Sequence, residues 1–326
     1  MNDRKHLIAV VPPHAGGRRA AAALASRVAH CAEVTAVESV TEVPDALARA
    51  HVVVTALAPV TAADFAAAPR LEFVQCTSHG FDYVDLAAAR ARGVTVATIG
   101  SSGAEHHNVA EHTFALILAL AKQIVPAHNA LARAEWTAPG LQRSLTELHG
   151  KTLGLIGFGA IGQEVAVRAA AFGMTVLYDA RRAHPHAEQR TGARRVSLDD
   201  LLRSSDYISL HVPLNAGTRN LLDAERIALL KPTAFVVNTA RGAVVDQEAL
   251  ADALIAGRIA GAGLDVFDPE PPTAALRLLR APNVVLSPHL AGVTRETVRR
   301  IAAAALENVA AHLDGTTPKD IISRGR

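Results

Sequence analysis

Apolar residues fall along this chain in two alternating series. In the first, short and almost continuous apolar runs at 7–11, 51–55, 71–76 and 94–97 alternate with alanine-rich stretches such as 18–30 and 85–91. The short runs read as strands covered on both faces and the longer stretches as helices. Their alternation is the pattern of strand–helix–strand units in a parallel sheet. The rhythm restarts after Lys151, with candidate strands at 152–156, 175–178, 207–212, 234–238, 259–264 and 284–286. A helical stretch from 108 to 134 separates the two series and is predicted to break near Pro126, since an internal proline ends or kinks a helix. A second, at 294–313, follows the last strand and stops by Gly315, a residue free to take the left-handed conformation that closes helices.

Composition narrows the class. At 326 residues there is room for one large domain or two ordinary ones. Hydrophobic residues make up 50% and charged residues 20%, which predicts a folded chain and not a disordered one. The 33 basic and 31 acidic side chains leave a net charge of +2 with no dense Lys/Arg run, which argues against a nucleic-acid partner. Cys31 and Cys76 are too few for a disulfide framework, so a reducing, cytoplasmic setting is expected. No apolar run reaches the ~18 residues of a membrane span, and the N-terminus does not read as a signal peptide.

The chemistry begins at Gly157-Phe158-Gly159-Ala160-Ile161-Gly162. A G-x-G-x-x-G hexamer alone is weak, but this one leaves a strand and opens a helix with a predicted inward stripe of Ile161, Val165, Ala169 and Phe172, stopped by Gly173. The first glycine permits the tight turn, the second lets backbone approach a pyrophosphate, and the third packs helix on strand. The helix N-terminus offers free N–H groups and the positive end of its dipole to phosphate. Asp179 follows at the end of the next strand, placed to bond the adenosine ribose hydroxyls and to repel a 2′-phosphate. NAD is therefore favoured, with NADP left possible by Arg181 and Arg182. Ala15-Gly16-Gly17-Arg18-Arg19 lacks the three-glycine spacing and reads as an ordinary strand-to-helix turn.

Three later loops carry reactive residues just past strand ends: 238–242, 264–271 and 287–292. In an open parallel sheet ligands sit beyond the carboxyl ends of the strands. At this point the chain resembles the D-isomer-specific 2-hydroxyacid dehydrogenases, from Asp82-Tyr83-Val84-Asp85 through the C-terminal helix. The resemblance rests on ordered motifs: Val109-Ala110-Glu111-His112, the glycine turn, Leu210-His211-Val212-Pro213-Leu214, Asn238-x-x-Arg241-Gly242, Leu264-Asp265-Val266, Pro269-Glu270-Pro271 and Pro288-His289. It implies two doubly wound, Rossmann-like parallel-sheet α/β domains with a cleft between them. The substrate domain would be 1–103 plus 293–326, with the NAD-binding domain, 104–292, inserted.

The resemblance also implies roles. Arg241 would hold the substrate carboxylate and 2-oxo oxygen, for which its planar cationic fork is suited. His289 would exchange a proton with that oxygen, and Glu270 would orient the imidazole through its other nitrogen. Asp265, His211, Val212, Pro213, Thr239 and Ala240 would line the cofactor, with Asp265 near the nicotinamide. Ser78, His79 and Gly80 would meet the substrate, chiefly through backbone N–H groups. A glutamate at 270, where formate dehydrogenases of the family have glutamine, favours oxo-acid reduction. A phosphite-type dehydrogenase and a non-catalytic NADH-sensing scaffold share the pattern and stand as alternatives. The implied substrate is a small 2-oxo or 2-hydroxy acid (glyoxylate, hydroxypyruvate, pyruvate-like or phosphoglycerate-type), and the implied assembly a homodimer. His79 and Glu105 depart from the residues common in relatives, and His79 is expected to meet a second polar or anionic group on the substrate. His106, His107, Glu111 and His112 lack the order of a metal-binding helix, so no metal is expected. Glu111 and His112 are expected to anchor the interdomain helix. Trp136, the only tryptophan, lies near the region where family dimers meet.

Overall fold

The computed structural model describes residues 4–30 and 32–325, which excludes Cys31 and the first three residues of the N-terminus. The chain forms two compact units, Met1–Ala104 with Arg295–Arg326, and Glu105–Thr294.

In the first unit, strands β1 (His6–Val10), β2 (Glu33–Val37), β3 (Val52–Thr55), β4 (Phe73–Cys76) and β5 (Thr95–Ala97) are joined by β13 (Ile321–Ser323). The order is β13-β5-β4-β3-β1-β2, parallel except for β13, which runs antiparallel to β5. Core strands β1, β3 and β4 are buried along their whole length, as their unbroken apolar runs predict. β2 and β13 are edge strands that the hydrophobic pattern does not announce. The β2 sequence Glu-Val-Thr-Ala-Val is mostly half-exposed, so no continuous apolar run marks it. The 15–19 segment is indeed an ordinary turn, into a helix at Gly17–Ala25.

In the second unit, β6 (Thr152–Ile156), β7 (Thr175–Asp179), β8 (Arg194–Arg195), β9 (Tyr207–Leu210), β10 (Phe235–Asn238), β11 (Gly261–Leu264) and β12 (Val284–Leu286) make one parallel sheet. Its order, β12-β11-β10-β9-β6-β7-β8, reverses between β6 and β9. That is the doubly wound arrangement, and the reversal opens a crevice outside the carboxyl ends of those two strands. Two apolar clusters flank the sheet, one around Leu250, Leu254 and Leu201, the other around Phe114, Ile117 and Val165.

Two sequence expectations need correction. The long helix breaks at Lys122–Gln123, between His106–Ala121 and Ile124–Ala132, which meet at 62°. Gln123 takes the left-handed conformation (φ 50°), while Pro126 sits in the first turn of the new helix, where its missing N–H costs nothing. On the Ala160–Ala171 helix the buried stripe is Gly162, Val165, Ala166 and Ala169, whereas Phe172 lies beyond its end, partly exposed and stacked on Phe114.

Candidate active site

The glycine turn lies at the reversal of strand order. Gly157 has φ +98°, and a Cβ there would come 2.5 Å from the His211 carbonyl oxygen. A Cβ at Gly162 would come 2.5 Å from the Gly157 oxygen. At Gly159 an added Cβ meets no heavy atom within 4 Å. The protein's own packing thus requires glycine at 157 and 162. The bare backbone at 159 faces open space, which is the cradle a pyrophosphate needs. The helix that starts at Ala160 has no side-chain cap, so its first-turn amides remain available to an anion. On these observations the turn fits a dinucleotide. Ala160 is exposed and Ile161 half-buried at this helix start. The Phe158 ring turns away into the core, stacked on Tyr178 at 4.0 Å, so Phe158 can offer a ligand only backbone.

Asp179 closes β7, and its carbonyl accepts the Gly157 N–H at 2.9 Å, fixing the carboxylate beside the turn. Desolvation raises the Asp179 carboxyl pKa, and the opposing positive field comes from Arg195 on β8. Sequence reading looked to Arg181 and Arg182 and passed over Arg195, which only the β7–β8 pairing brings near. Across the crevice, His211-Val212-Pro213 follows β9, with the Val212 side chain 2.9 Å from the Cβ position of Gly157. Burial pushes the His211 imidazole down to about 4, so it is neutral near pH 7, paired with Ser209 at 2.9 Å.

The Arg241 loop is braced from within. Buried Asn238 accepts the Ala240 N–H at 3.0 Å and donates to the Arg241 carbonyl at 2.8 Å. Thr239 bonds Thr113 at 3.2 Å, and the Arg241 guanidinium donates to the Ala240 carbonyl at 2.8 Å. A Cβ on Gly242 would overlap the Phe267 carbonyl carbon at 2.0 Å. This close approach, open only to glycine, sets the Arg241 loop against the loop that carries Glu270. Glu270 then bridges: one oxygen accepts the Phe267 N–H at 2.9 Å and the other meets His289 Nδ1 at 2.6 Å. With Nδ1 so engaged, Nε2 is the nitrogen left to face a reactant. About a quarter of each side-chain surface stays accessible.

His289 itself has φ 53°, a left-handed conformation that costs a non-glycine residue about 1–2 kcal/mol. Fully buried Asp265 holds it there. The Asp265 carbonyl accepts the His289 N–H at 2.7 Å. Its carboxylate accepts Ser287 Oγ at 2.5 Å and the N–H groups of Leu290 and Ala291 at 2.8 Å each. Burial alone would raise the Asp265 pKa, but hydrogen bonds from His112, Ser287, Ala291 and Leu290 outweigh it and the net shift is downward. Asp265 is therefore a charged hub inside the His289 loop. Sequence reading missed Ser287 and Asn108, whose amide donates to the Ala291 carbonyl at 2.7 Å. The signal was the i, i+4 spacing of Asn108 and His112 on one helix face.

In the other unit, the loop after β4 holds Ser78, His79 and Gly80. Ser78 Oγ donates to the Gly80 carbonyl at 2.7 Å and bonds Tyr83 Oη at 2.8 Å, so that hydroxyl shapes the loop. His79 is exposed, its ring over Gly100. Among the described residues no group of three or more His, Cys, Asp or Glu could hold a metal ion.

Known proteins are similar to this chain in sequence and in fold. Residues 114–291 match the sequence model of the D-isomer specific 2-hydroxyacid dehydrogenase NAD binding domain. A glyoxylate reductase of Aeropyrum pernix is 42% identical over 263 residues, 79% of this chain and 78% of the relative. A hydroxypyruvate reductase of Thermotoga maritima is 41% identical over 79% of this chain and 82% of its own length. The crystal structure of D-lactate dehydrogenase from Aquifex aeolicus, complexed with NAD and lactic acid, superposes with TM-score 0.87 at 30% identity, over 99% of this chain and all of that one. The chain belongs to the D-isomer specific 2-hydroxyacid dehydrogenases and is an NAD(P)-dependent oxidoreductase acting on CH–OH donors.

Proposed function

We propose that the protein reduces a short 2-oxo acid of the glyoxylate or hydroxypyruvate class to the D-2-hydroxy acid, with NADH preferred over NADPH. The observation that carries this reading is the His289–Glu270 pair at 2.6 Å in the unit that holds the glycine turn. When bound, the nicotinamide supplies the hydride to C2 of the substrate. Everything else falls to side chains of this chain. Arg241 binds the carboxylate and polarises the 2-oxo group through its planar fork. His289 delivers a proton from Nε2 to the oxygen as charge develops there, and in the reverse direction recovers it. Glu270 keeps Nδ1 bonded and the ring oriented, and its anionic charge compensates the imidazolium. A glutamine could orient the ring but not balance that charge. Ser78, His79 and Gly80 supply backbone N–H groups to the substrate carboxylate, and His79 reads a second polar group such as the hydroxyl of hydroxypyruvate. Thr239, Ala240, Val212, Pro213 and Asp265 flank the cofactor. The Asp179 carboxylate supports NADH, because it would repel a 2′-phosphate.

The exposed apolar residues Ile124, Leu131 and Trp136, the last 79% accessible, support a homodimer formed through the Ile124–Ala132 helix and the turn after it.

A steady-state assay of NADH oxidation against glyoxylate, hydroxypyruvate, pyruvate and phosphite-linked NAD reduction tests the proposal. Glyoxylate or hydroxypyruvate should give the highest kcat/KM, and His289→Ala should remove at least a hundredfold of kcat. Inactivity on every 2-oxo acid, or full activity of His289→Ala, would overturn it. His79→Ala belongs in the same panel: an unchanged ranking of substrates would remove its role in selection.

A further inference from the structure

The proton donor of a reductase must sit in one place through many turnovers, and His289 sits in a backbone conformation that does not hold itself. Resting on the function proposed above, we propose that His112 and Asn108, on the His106–Ala121 helix, are positioning residues for His289. They act through Ser287 and Asp265, and touch neither substrate nor cofactor.

The hydrogen bonds have only one consistent direction. Ser287 has a single hydroxyl proton, and it goes to the Asp265 carboxylate, 2.5 Å away. Ser287 Oγ is therefore the acceptor toward His112 Nε2 at 2.8 Å, and Nε2 carries a hydrogen. The same Nε2 lies 3.3 Å from Asp265 Oδ1. A donor chain runs from His112 through Ser287 to a buried carboxylate. That carboxylate in turn grips the N–H groups of Leu290 and Ala291, immediately after His289. One turn earlier on the helix, Asn108 Nδ2 donates to the carbonyl of Ala291. The segment 287–291 is thus held at both ends by one helix face, with the left-handed His289 between the two grips.

The helix is a suitable anchor because it is itself packed in the core: Phe114, Leu116, Ile117 and Leu120 are buried. Thr113 on the same helix bonds Thr239 beside Arg241, so one rigid element references both the substrate-binding loop and the proton-donor loop. Rigid support of this kind matters because a misplacement of about 1 Å in a reacting group can cost a hundredfold in rate.

The test compares His112→Leu with His112→Gln, whose amide can present an N–H where Nε2 stands. His112→Leu should lower kcat by about ten- to a hundredfold while the NADH dissociation constant and the KM for the oxo acid stay within about threefold. His112→Gln should recover most of that loss. A general structural role would move stability and cofactor affinity with kcat, and glutamine would not rescue kcat selectively. Asn108→Ala, which removes a single grip, should lower kcat by a smaller factor and keeps the test alive if leucine at 112 prevents folding. His112→Leu within twofold of the wild-type kcat, or glutamine no better than leucine, overturns the proposal. An inactive wild type would count against the function alone. The arrangement would then be read from the His289 ring carbon resonance, identified by its loss in His289→Ala. It should move in His112→Leu and return in His112→Gln, and an unmoved resonance would refute the arrangement.

Discussion

The three glycines of the turn are not equivalent, and substituting alanine at each separates ligand binding from folding. Gly159 has φ −73°, a value alanine adopts freely, and its added methyl would meet no protein atom within 4 Å. Loss of glycine's unfolded-state freedom should stabilise the native chain by about 0.4–1 kcal/mol. For the roughly 190-residue unit that holds the turn, this converts to a melting temperature about 1–4 °C higher. The same methyl occupies the space where the backbone must approach the pyrophosphate, so the NADH dissociation constant should rise at least about tenfold, or ~1.4 kcal/mol. Gly157→Ala should do the opposite to folding. Left-handed strain costs about 1–2 kcal/mol, and a 2.5 Å contact with a backbone oxygen adds overpacking of about 1–3 kcal/mol. Gly162→Ala carries the contact without the strain. Differential scanning fluorimetry with calorimetric titration of NADH reads both quantities on each variant. Wild-type affinity in Gly159→Ala, or a melting temperature falling as far as in Gly157→Ala, would refute the assignment of the open backbone to a phosphate.

Asp265→Asn should destabilise the chain by about 3 kcal/mol at pH 7, because it removes a buried charge from three or more donors. The folded pKa of Asp265 is depressed, so its contribution is complete above the unfolded value of about 3.9 and is lost as pH falls through the folded value. Urea unfolding should therefore show a wild-type advantage that is flat above about pH 5 and shrinks below about pH 4. A pH-independent difference would mean that packing, not charge, makes the hub. Leu131→Glu, on the exposed helix face, should convert a dimer to a monomer in size-exclusion light scattering. An unchanged mass would place the contact elsewhere.

Much of this fold was legible because parallel strands buried on both faces leave unbroken apolar runs, and β1, β3, β6 and β10 are such strands. The strands that escaped, β2, β8 and β13, lie at sheet edges, where half-exposed positions need no apolar residue. The helix break was misplaced for a related reason. Proline is visible in sequence, but the residue that bends the chain is Gln123, whose left-handed conformation has no compositional mark.

The site divides the same way. Gly157, Arg241, Glu270 and His289 follow strand ends and have residue types that chemistry demands, so order and spacing exposed them. Asn108, Ser287 and Arg195 were hidden because each matters through a neighbour distant in sequence, and His112, visible in its motif, did not show there that its partners are Ser287 and Asp265. Asn108 is silent until the chain returns 183 positions later to place the Ala291 carbonyl against it. Asp265 is the instructive intermediate. Its place in a motif marked it as functional, and the reading set it beside the nicotinamide. The geometry adds that its carboxylate accepts from Ser287, Leu290 and Ala291, with His112 Nε2 3.3 Å away behind Ser287. Besides the place proposed for it at the cofactor, Asp265 thus holds the loop that carries His289, a role its motif alone did not announce.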